Sequence, residues 1–374
     1  FFCFRIENIS TPIPTPPPSF QSTMSARCSG VWCVYLTGGV AVVNIAIMIG
    51  MVGGPLMFFH LLEQLVQPNL VYSAANLAGT TTLITGANRG LGFGISLAIA
   101  KNNGSVVMTG RRAEKCQKAV NSNEVFSRIL ETDPERVGFS SLDLLSFESI
   151  DNFVQTTQQN YKELDILILN AAMAGLQPKD ATTGINRLIG VNFLGNIYLV
   201  QQLYQHNLIT QNTRIIVVTS GAHLNGIPYK MPHKEDIDMS NASWMYGQSK
   251  FLLNTWLNGW IASLKKESKP RPYYILWNPG PVDTDLGSES VPAVLFPTYW
   301  AMRKIFFVSV DIAAETVLYL LSQPHPLKSG DYIHMRVVTQ PHPWITKDES
   351  QKWVLEQADS ILEELAMVSP AKQN

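Results

Sequence analysis

A tyrosine and a lysine four residues apart, Tyr246 and Lys250, form the pair of side chains best suited to proton transfer. Residues at this spacing share one face of a helix. A tyrosine hydroxyl has a pKa of about 10 and is a weak base at neutral pH, but a neighbouring ammonium group lowers that pKa by favouring the phenolate. The pair can therefore exchange a proton with a hydroxyl or carbonyl oxygen of a substrate.

Other polar side chains extend this candidate catalytic set. Ser220 follows a strand predicted at 214–219, and ligands bind at the carboxyl ends of strands in open α/β sheets, so its hydroxyl can hold a substrate oxygen. The amide of Asn192 either holds a water in a proton path to Lys250 or holds the backbone of its own helix. His223 either borders the substrate or makes a structural hydrogen bond. The predicted catalytic residues are Ser220, Tyr246, Lys250 and Asn192.

A glycine-rich turn precedes this set in the chain. Gly86, Gly90 and Gly92 follow a β-branched run at 80–85 and open a predicted helix. Glycines let a backbone turn tightly against a pyrophosphate, and the helix N-terminus offers free N–H groups and a positive dipole end. The alternative is an ordinary strand-to-helix turn, because the spacing differs from Gly-x-Gly-x-x-Gly. The predicted dinucleotide contacts here are Gly86, Asn88, Arg89, Gly90, Leu91 and Gly92.

The end of the second predicted strand indicates which dinucleotide binds. An acidic residue there would hold the ribose hydroxyls of NAD, whereas a basic residue suits the 2′-phosphate of NADP. The strand at 105–110 is followed by Arg111 and Arg112, with no acid. Arg111, assisted by Arg89, can pair with a dianionic phosphate, while Arg112 either assists or is solvated. We therefore predict NADP(H) as the cofactor.

These residues need a scaffold that brings the ends of several strands together. Short apolar strands alternate with helices, which is typical of a parallel sheet covered on both faces. We predict an α/β fold with a doubly wound, Rossmann-type parallel sheet in one catalytic domain at 80–340. The predicted strands are 80–85, 105–110, 136–140, 165–169, 214–219, 273–277 and 332–335. The predicted helices are 91–102, one after Ser146, 191–204, 243–265, 311–321 and 347–366.

The N-terminal part of the chain differs in composition from this domain. Residues 28–62 contain no Asp, Glu, Lys or Arg, and about 20 apolar residues span a bilayer. We predict a membrane anchor there, either one transmembrane helix or a hairpin, with a buried helix or a cleaved leader as alternatives. The other predicted segments are a disordered Pro-rich leader at 1–27 with translation starting at Met24, a linker at 63–79 and a helical extension at 341–374.

Charge and cysteine content exclude several classes of protein. The 374 residues carry 28 Lys and Arg against 29 Asp and Glu. The resulting net charge of −1 offers no basic excess to neutralise the phosphates of a nucleic acid. The four cysteines show neither a disulfide framework nor zinc-ligand spacing, so no metal site is predicted.

In chain order, these motifs resemble those of the short-chain dehydrogenases/reductases over 80–338. Asp143, Asn170-Ala171-Ala172 and Pro279-Gly280 also match, although the family usually has glycine in place of Ala172. The resemblance implies that Tyr246 is the acid/base, that Asp143 contacts the adenine and that Lys250 holds the nicotinamide ribose. The further implied cofactor contacts are Arg111, Asp143, Asn170, Tyr246, Lys250, Pro279, Gly280, Val282 and Thr284.

Three stretches, 85–90, 218–223 and 329–332, look like the retinol dehydrogenase-like branch. That branch includes membrane-anchored enzymes acting on retinoids, steroids and lipid aldehydes. The apolar runs 291–300 and 305–308 would then form a substrate lid, or pack against the protein body or a partner subunit. The expected partners are a lipophilic substrate, membrane lipid and a second copy of the chain, and the expected location is the endoplasmic reticulum membrane.

The function expected from these motifs is the NADP(H)-dependent interconversion of a lipophilic alcohol and its aldehyde or ketone. A non-catalytic NADP(H)-binding regulatory or scaffold protein with the same fold is the alternative. The complete set of Ser220, Tyr246, Lys250 and Asn192 counts against that alternative, because a scaffold has no chemical need for all four.

Overall fold

A computed structural model describes residues 76–368, except 176–179, 181–183, 233–241, 287, 289–290, 292–295 and 323–326. Within these residues, no helix combines the length and the apolar character needed to cross a bilayer. The predicted leader, the predicted anchor at 28–62 and most of the predicted linker lie outside the described residues.

A central sheet organises the described part of the chain, where eight strands follow the order β3-β2-β1-β4-β5-β6-β7-β8. Neighbouring strands are parallel except β7 and β8, which are antiparallel. The strands are β1 (Thr81–Ile84), β2 (Ser105–Gly110), β3 (Val137–Ser141), β4 (Ile166–Leu169), β5 (Arg214–Val218), β6 (Tyr273–Asn278), β7 (Tyr332–His334) and β8 (Val337–Thr339). All four residues of β4 are buried, as expected for a parallel strand covered on both faces. The predicted α/β, Rossmann-type parallel sheet is confirmed.

Helices cover both faces of this sheet and enclose two apolar cores. One core lies under α4, α6, α7 and α10, and the other lies under α1, α2, α3 and α9. The helices are α1 (Gly90–Lys101), α2 (Ala113–Asn121), α3 (Glu124–Thr132), α4 (Phe147–Asn160), α5 (Arg187–Ile189), α6 (Gly195–Gln205), α7 (Ala242–Lys266), α8 (Phe296–Phe306), α9 (Val310–Leu321) and α10 (Asp348–Val368). A π-helical turn, Gly190–Leu194, joins α5 to α6.

The strand order reverses at the centre of the sheet, where β1 lies between β2 and β4. Chain connections leave β1 and β4 in opposite directions, so their carboxyl ends open a crevice between them. The glycine-rich turn after β1 and the loop after β4 meet at this crevice. The fold therefore places the motifs of the sequence at one edge of the sheet.

Several elements have no counterpart in the sequence prediction. Helices α2 and α3 are largely polar, and Cys116, Val120 and Phe126 are the residues that bury completely in the core. Strand β8 is three residues long, and its Val337 and Val338 are exposed at the sheet edge. The helix predicted at 191–204 is divided between the π-helical turn and α6. Helices α2 and α3 have nine residues each and β8 has three, and this short length explains why these elements were missed.

Candidate active site

A cleft of about 790 Å³ lies at the carboxyl edge of the sheet. Every predicted catalytic and cofactor residue except Asn192 lines it. The cleft also contains residues that the sequence did not single out. Among them are Met173, Asp283, Leu286 and Arg303, and Phe307 of the predicted lid run 305–308 lines the cleft as well.

The turn from β1 into α1 has the backbone geometry that only glycine adopts readily. Gly86 and Gly90 have φ angles of +66° and +57°, in the left-handed region. A Cβ at Gly86 would lie 2.9 Å from Cα of Ala171. Arg89 caps α1 without a side-chain hydrogen bond to the described residues, so the first amide groups of the helix remain available to a ligand. This cradle fits a pyrophosphate.

Asn170 holds this turn against the end of β4. Its Nδ2 donates to the carbonyl oxygens of Thr85 at 2.8 Å and Gly86 at 3.1 Å. The Thr85 hydroxyl in turn accepts the N–H groups of Asn170 and Ala171, both at 2.9 Å. A Cβ at Gly92 would lie 2.5 Å from Asn170 Nδ2, so the packing of these groups leaves no room for a side chain. Asn170 therefore fixes the turn and borders the cleft.

The ribose end of the cleft carries two arginines. Arg89 and Arg111 line the cleft and are solvent-exposed. Arg112 is exposed and is absent from the described residues that line the cleft, which favours a solvated role for it. Asp143 lines the opposite wall, where its Oδ1 accepts the N–H of Leu145 at 3.0 Å. Two guanidinium groups without a facing acid at the end of β2 suit a phosphate better than a ribose diol.

Tyr246 and Lys250 lie on α7 and face the end of β5. The Ser220 side chain lies close enough to the Tyr246 hydroxyl to lower its pKa. Lys250 Nζ donates to the Val218 carbonyl at 2.8 Å and lies 5.9 Å from the centroid of the Tyr246 ring. Ser220, Tyr246 and Lys250 therefore lie together in one part of the cleft.

Burial controls the protonation of this group. Burial raises the pKa of Tyr246, and the hydrogen bond from Ser220 opposes that rise. Burial also lowers the pKa of Lys250 to about 8. The pKa shift of Tyr246 comes from desolvation, opposed by Ser220, and the prediction that Lys250 lowers this pKa stays a prediction.

Asn192 supports the site from behind and does not border the cleft. It is fully buried in the π-helical turn. Its Nδ2 donates to Met173 O at 2.9 Å and to Ser249 Oγ at 3.0 Å, and its Oδ1 accepts Met173 N–H at 2.7 Å. Ser249 Oγ donates to the carbonyl of Tyr246 at 2.7 Å. The backbone that Asn192 holds is that of Met173, in the loop after β4, and not that of its own helix, so this role differs from the backbone role foreseen.

The loop after β6 brings further predicted cofactor residues to the turn. Gly280 has a φ of +76°, and Pro279 precedes it at the end of the strand. The Thr284 side chain reaches the phosphate turn, because a Cβ on Gly90 would lie 3.3 Å from its Cγ2. Val282 forms an isolated parallel bridge with Val308, so the chain between these two residues begins and ends at the same place.

An ion-pair cluster, absent from the sequence prediction, ties α8 to this loop. Arg303 Nη2 lies 2.7 Å from Asp283 Oδ1, and Lys304 Nζ lies 2.6 Å from Asp283 Oδ2. Arg303 Nη1 is 3.4 Å from Asp285 Oδ1. These cations, Lys304 first, lower the pKa of Asp283. The predicted lid at 291–300 lies partly outside the described residues, and its described part is the start of α8.

Comparison with known proteins agrees with this geometry. Residues 80–294 match the model of the short chain dehydrogenase family. Retinol dehydrogenase 13 from Mus musculus is 28% identical over 276 residues, which cover 70% of this chain and 76% of the relative.

Solved structures show the same fold with either dinucleotide. A short chain dehydrogenase from Shigella flexneri, solved with NADP, is 20% identical with a TM-score of 0.53 and covers 71% of this chain and 100% of its own. A 3-oxoacyl-[acyl-carrier protein] reductase from Brucella melitensis, solved with NAD, is 18% identical with a TM-score of 0.50 and covers 70% and 98%. This chain thus belongs to the short-chain dehydrogenase family, in its retinol dehydrogenase-like branch, whose members are alcohol/carbonyl oxidoreductases that use a nicotinamide dinucleotide.

Proposed function

We propose that the protein is an NADP(H)-dependent oxidoreductase that interconverts a lipophilic alcohol and its aldehyde or ketone. The observation that carries the proposal is that Ser220, Tyr246 and Lys250 line the same cleft as the glycine turn. A proton donor and a dinucleotide cradle in one cleft are the two requirements for carbonyl reduction.

The proton chemistry follows from the positions of these side chains. When bound, the nicotinamide cofactor gives hydride to the carbonyl carbon in reduction and accepts it in oxidation. Ser220 and Tyr246 hold the substrate oxygen, and the Tyr246 hydroxyl supplies the proton that converts this oxygen to a hydroxyl. Lys250 stabilises the phenolate that remains. Since one N–H of its Nζ is held by Val218 O, the ammonium group stays beside the tyrosine.

The two arginines at the ribose end support the choice of NADP(H). Arg89 and Arg111 are exposed in the cleft, and the stretch 109–112 contains no acid that would bind a ribose diol. A 2′-phosphate there gains charge-assisted hydrogen bonds from both guanidinium groups.

Apolar side chains at the other end of the cleft support a lipophilic substrate. Met173, Leu286 and Phe307 line the cleft, and α8 presents Phe296 and Trp300 to solvent beside it. An uncharged anchor at 28–62 would place this end of the enzyme close to lipid. We extend the proposal to attachment at a membrane, with the endoplasmic reticulum as the compartment.

The test is reduction by the full chain in detergent micelles. Retinal, a steroid ketone and a long-chain aldehyde are offered with NADPH or NADH, and a small polar aldehyde is the control substrate. We expect NADPH to be preferred, and Arg111→Ala to remove most of that preference. Tyr246→Phe should keep NADPH binding, measured by fluorescence, while turnover falls by about 100-fold to 10,000-fold.

Two results would contradict the proposal. Wild-type protein that binds NADPH but reduces none of these carbonyls would favour the scaffold alternative. Equal use of NADH by wild type and by Arg111→Ala would remove the NADP assignment.

A further inference from the structure

His223 lies directly behind the catalytic serine and is completely buried. Its Nδ1 is 2.6 Å from the carbonyl oxygen of Ser220. Because a carbonyl oxygen only accepts, Nδ1 carries the ring proton. Nε2 accepts the backbone N–H of His342 at 3.1 Å, so this nitrogen carries no proton. The two partners together select one neutral tautomer.

The partner on the Nε2 side belongs to a distant part of the chain. His342 lies 119 residues after His223 and begins the turn Pro343–Thr346 that leads into α10. The His342 ring packs edge-on against Phe251, next to Lys250 on α7, with centroids 5.0 Å apart. Gln351 Nε2, from α10, donates to Ile345 O at 3.0 Å. We call residues 340–346 the C-terminal segment, and these contacts dock it behind the active site.

The position of Ser220 depends on the other side of this histidine. The Ser220 carbonyl accepts both the backbone N–H of His223 at 3.1 Å and Nδ1. Ser220 Oγ accepts the N–H of Ala222 at 3.2 Å, which leaves its own proton to face Tyr246. Movement of His223 would therefore move the carbonyl and the hydroxyl of the serine together.

We propose that His223 is a positioning residue, which holds Ser220 through its carbonyl and couples the active site to the C-terminal segment. The role rests on the proposed function, because Ser220 matters only if it holds a substrate oxygen. Burial lowers the pKa of His223 to about 4, and His342 and His334 act in the same direction while the Ser220 carbonyl opposes them. The ring therefore stays neutral near physiological pH and keeps both hydrogen bonds.

Replacing His223 with Asn or with Gln separates the effects of its hydrogen bonds to Ser220 and to His342. In His223→Asn, the amide nitrogen takes the place of Nδ1 and can still donate to Ser220, but the side chain is too short to reach His342. In His223→Gln, the amide oxygen can accept from His342, but Ser220 loses its donor. His206→Asn is the matched control, because His206 Nδ1 also bonds a backbone carbonyl, Gln202 O at 2.9 Å, at the end of α6.

We expect kcat for carbonyl reduction to fall by about 10-fold to 100-fold in His223→Gln, because small displacements of a positioning group have effects of this size. His223→Asn should recover part of the loss, and the KM for NADPH should stay within about twofold in both, since the serine contacts the substrate. His206→Asn should match wild type. Wild-type kcat in folded His223→Gln would overturn the role.

Amide hydrogen exchange tests the same role without turnover. His223→Asn should lose protection at the His342 amide and keep it at the Ala222 amide, whereas His223→Gln should show the reverse. If wild type reduces no carbonyl, the proposed function fails, but this exchange pattern still decides whether His223 holds Ser220. Unchanged exchange at both amides in both variants would overturn the coupling.

Discussion

The two halves of the cleft are held together in different ways. The cofactor half, which comprises the turn 85–92 with Asn170, is built from backbone atoms, left-handed glycines and one amide side chain. The substrate half, which comprises Leu286, Phe307 and α8, is tied to the loop after β6 by ion pairs between Asp283 and the cations of α8. Backbone contacts tolerate almost no added atom. The half-exposed pair of Lys304 with Asp283 tolerates exchange, whereas the pair of Arg303 with Asp283 is largely buried. The first half is therefore specified tightly, and the second can vary with the substrate.

The largest expected effect comes from an added methyl group in the cofactor half. In Gly92→Ala, the Cβ would lie 2.5 Å from both Asn170 Nδ2 and the Gly86 carbonyl, so the turn must open. Overpacking of this kind costs about 1–3 kcal/mol. If this cost falls on the conformation of the turn that binds NADPH, the Kd for NADPH rises by about 10-fold to 100-fold. Titration by NADPH fluorescence measures the change.

Gly138→Ala is the control for this variant, because the nearest atom to its new Cβ is Tyr161 Oη at 3.5 Å, an ordinary contact. Its NADPH affinity should equal that of wild type. An unchanged Kd in Gly92→Ala would show that the cofactor half is softer than its backbone contacts indicate.

Lys250 lies between the two halves, and we expect it to lower the stability of the fold while it supports activity. It is 2% exposed, and burial lowers its pKa from 10.5 to about 8. Below pH 8 the folded state holds a buried cation at a cost of roughly 3 kcal/mol, and the cost disappears as pH rises, because the folded state then releases its proton before the unfolded state does. Lys250→Met should therefore unfold with a free energy about 1–3 kcal/mol larger at pH 7, since loss of the bond to Val218 O offsets part of the gain.

Denaturant unfolding at pH 7 and pH 10.5 checks this sign. The difference between Lys250→Met and wild type should shrink toward zero at the higher pH, and the variant should have no reductase activity at either. A variant that is less stable at pH 7 would mean that the hydrogen bond to Val218 outweighs the desolvation of the ammonium group.

The smallest expected effect lies in the substrate half. Asp283→Asn removes the anion that Arg303 and Lys304 share, and α8 should become looser against the loop. Because Lys304 is half-exposed and its pair with Asp283 is weak, we expect the KM for the carbonyl substrate to rise by about threefold to tenfold with little change in NADPH affinity. Lys304→Met should also raise the KM for the carbonyl substrate, and the free-energy change calculated from that rise should be less than half of the change for Asp283→Asn. An equal loss of NADPH affinity would show that the two halves are not separate.

The same contrast explains what the sequence could predict. The glycine turn and the Tyr246/Lys250 pair are local patterns, because their chemistry requires residues close together in the chain. The parallel sheet follows from short buried apolar runs such as β4. By contrast, the Arg303–Asp283 pair and the His223–His342 bond join residues 20 and 119 positions apart, and neither leaves a periodic signal. The sequence predicted Asn192 as a site residue. Its hydrogen bond to Ser249, 57 residues away in the chain, could not be predicted without the folded structure.

The bridge between Val282 and Val308 gives the substrate half a property of its own. The N–H of Val308 donates to Pro281 O at 2.7 Å and the N–H of Asp283 donates to Val308 O at 2.9 Å, so both ends of the intervening chain are pinned at one place. Because Thr284 is a predicted cofactor contact, we expect that the part that can be exchanged as a cassette is 285–307, and that its exchange leaves the paths of β6 and α9 unaltered. A relative with another substrate, or an engineer seeking one, needs to rewrite only the cassette and can leave the hydride-transfer machinery untouched.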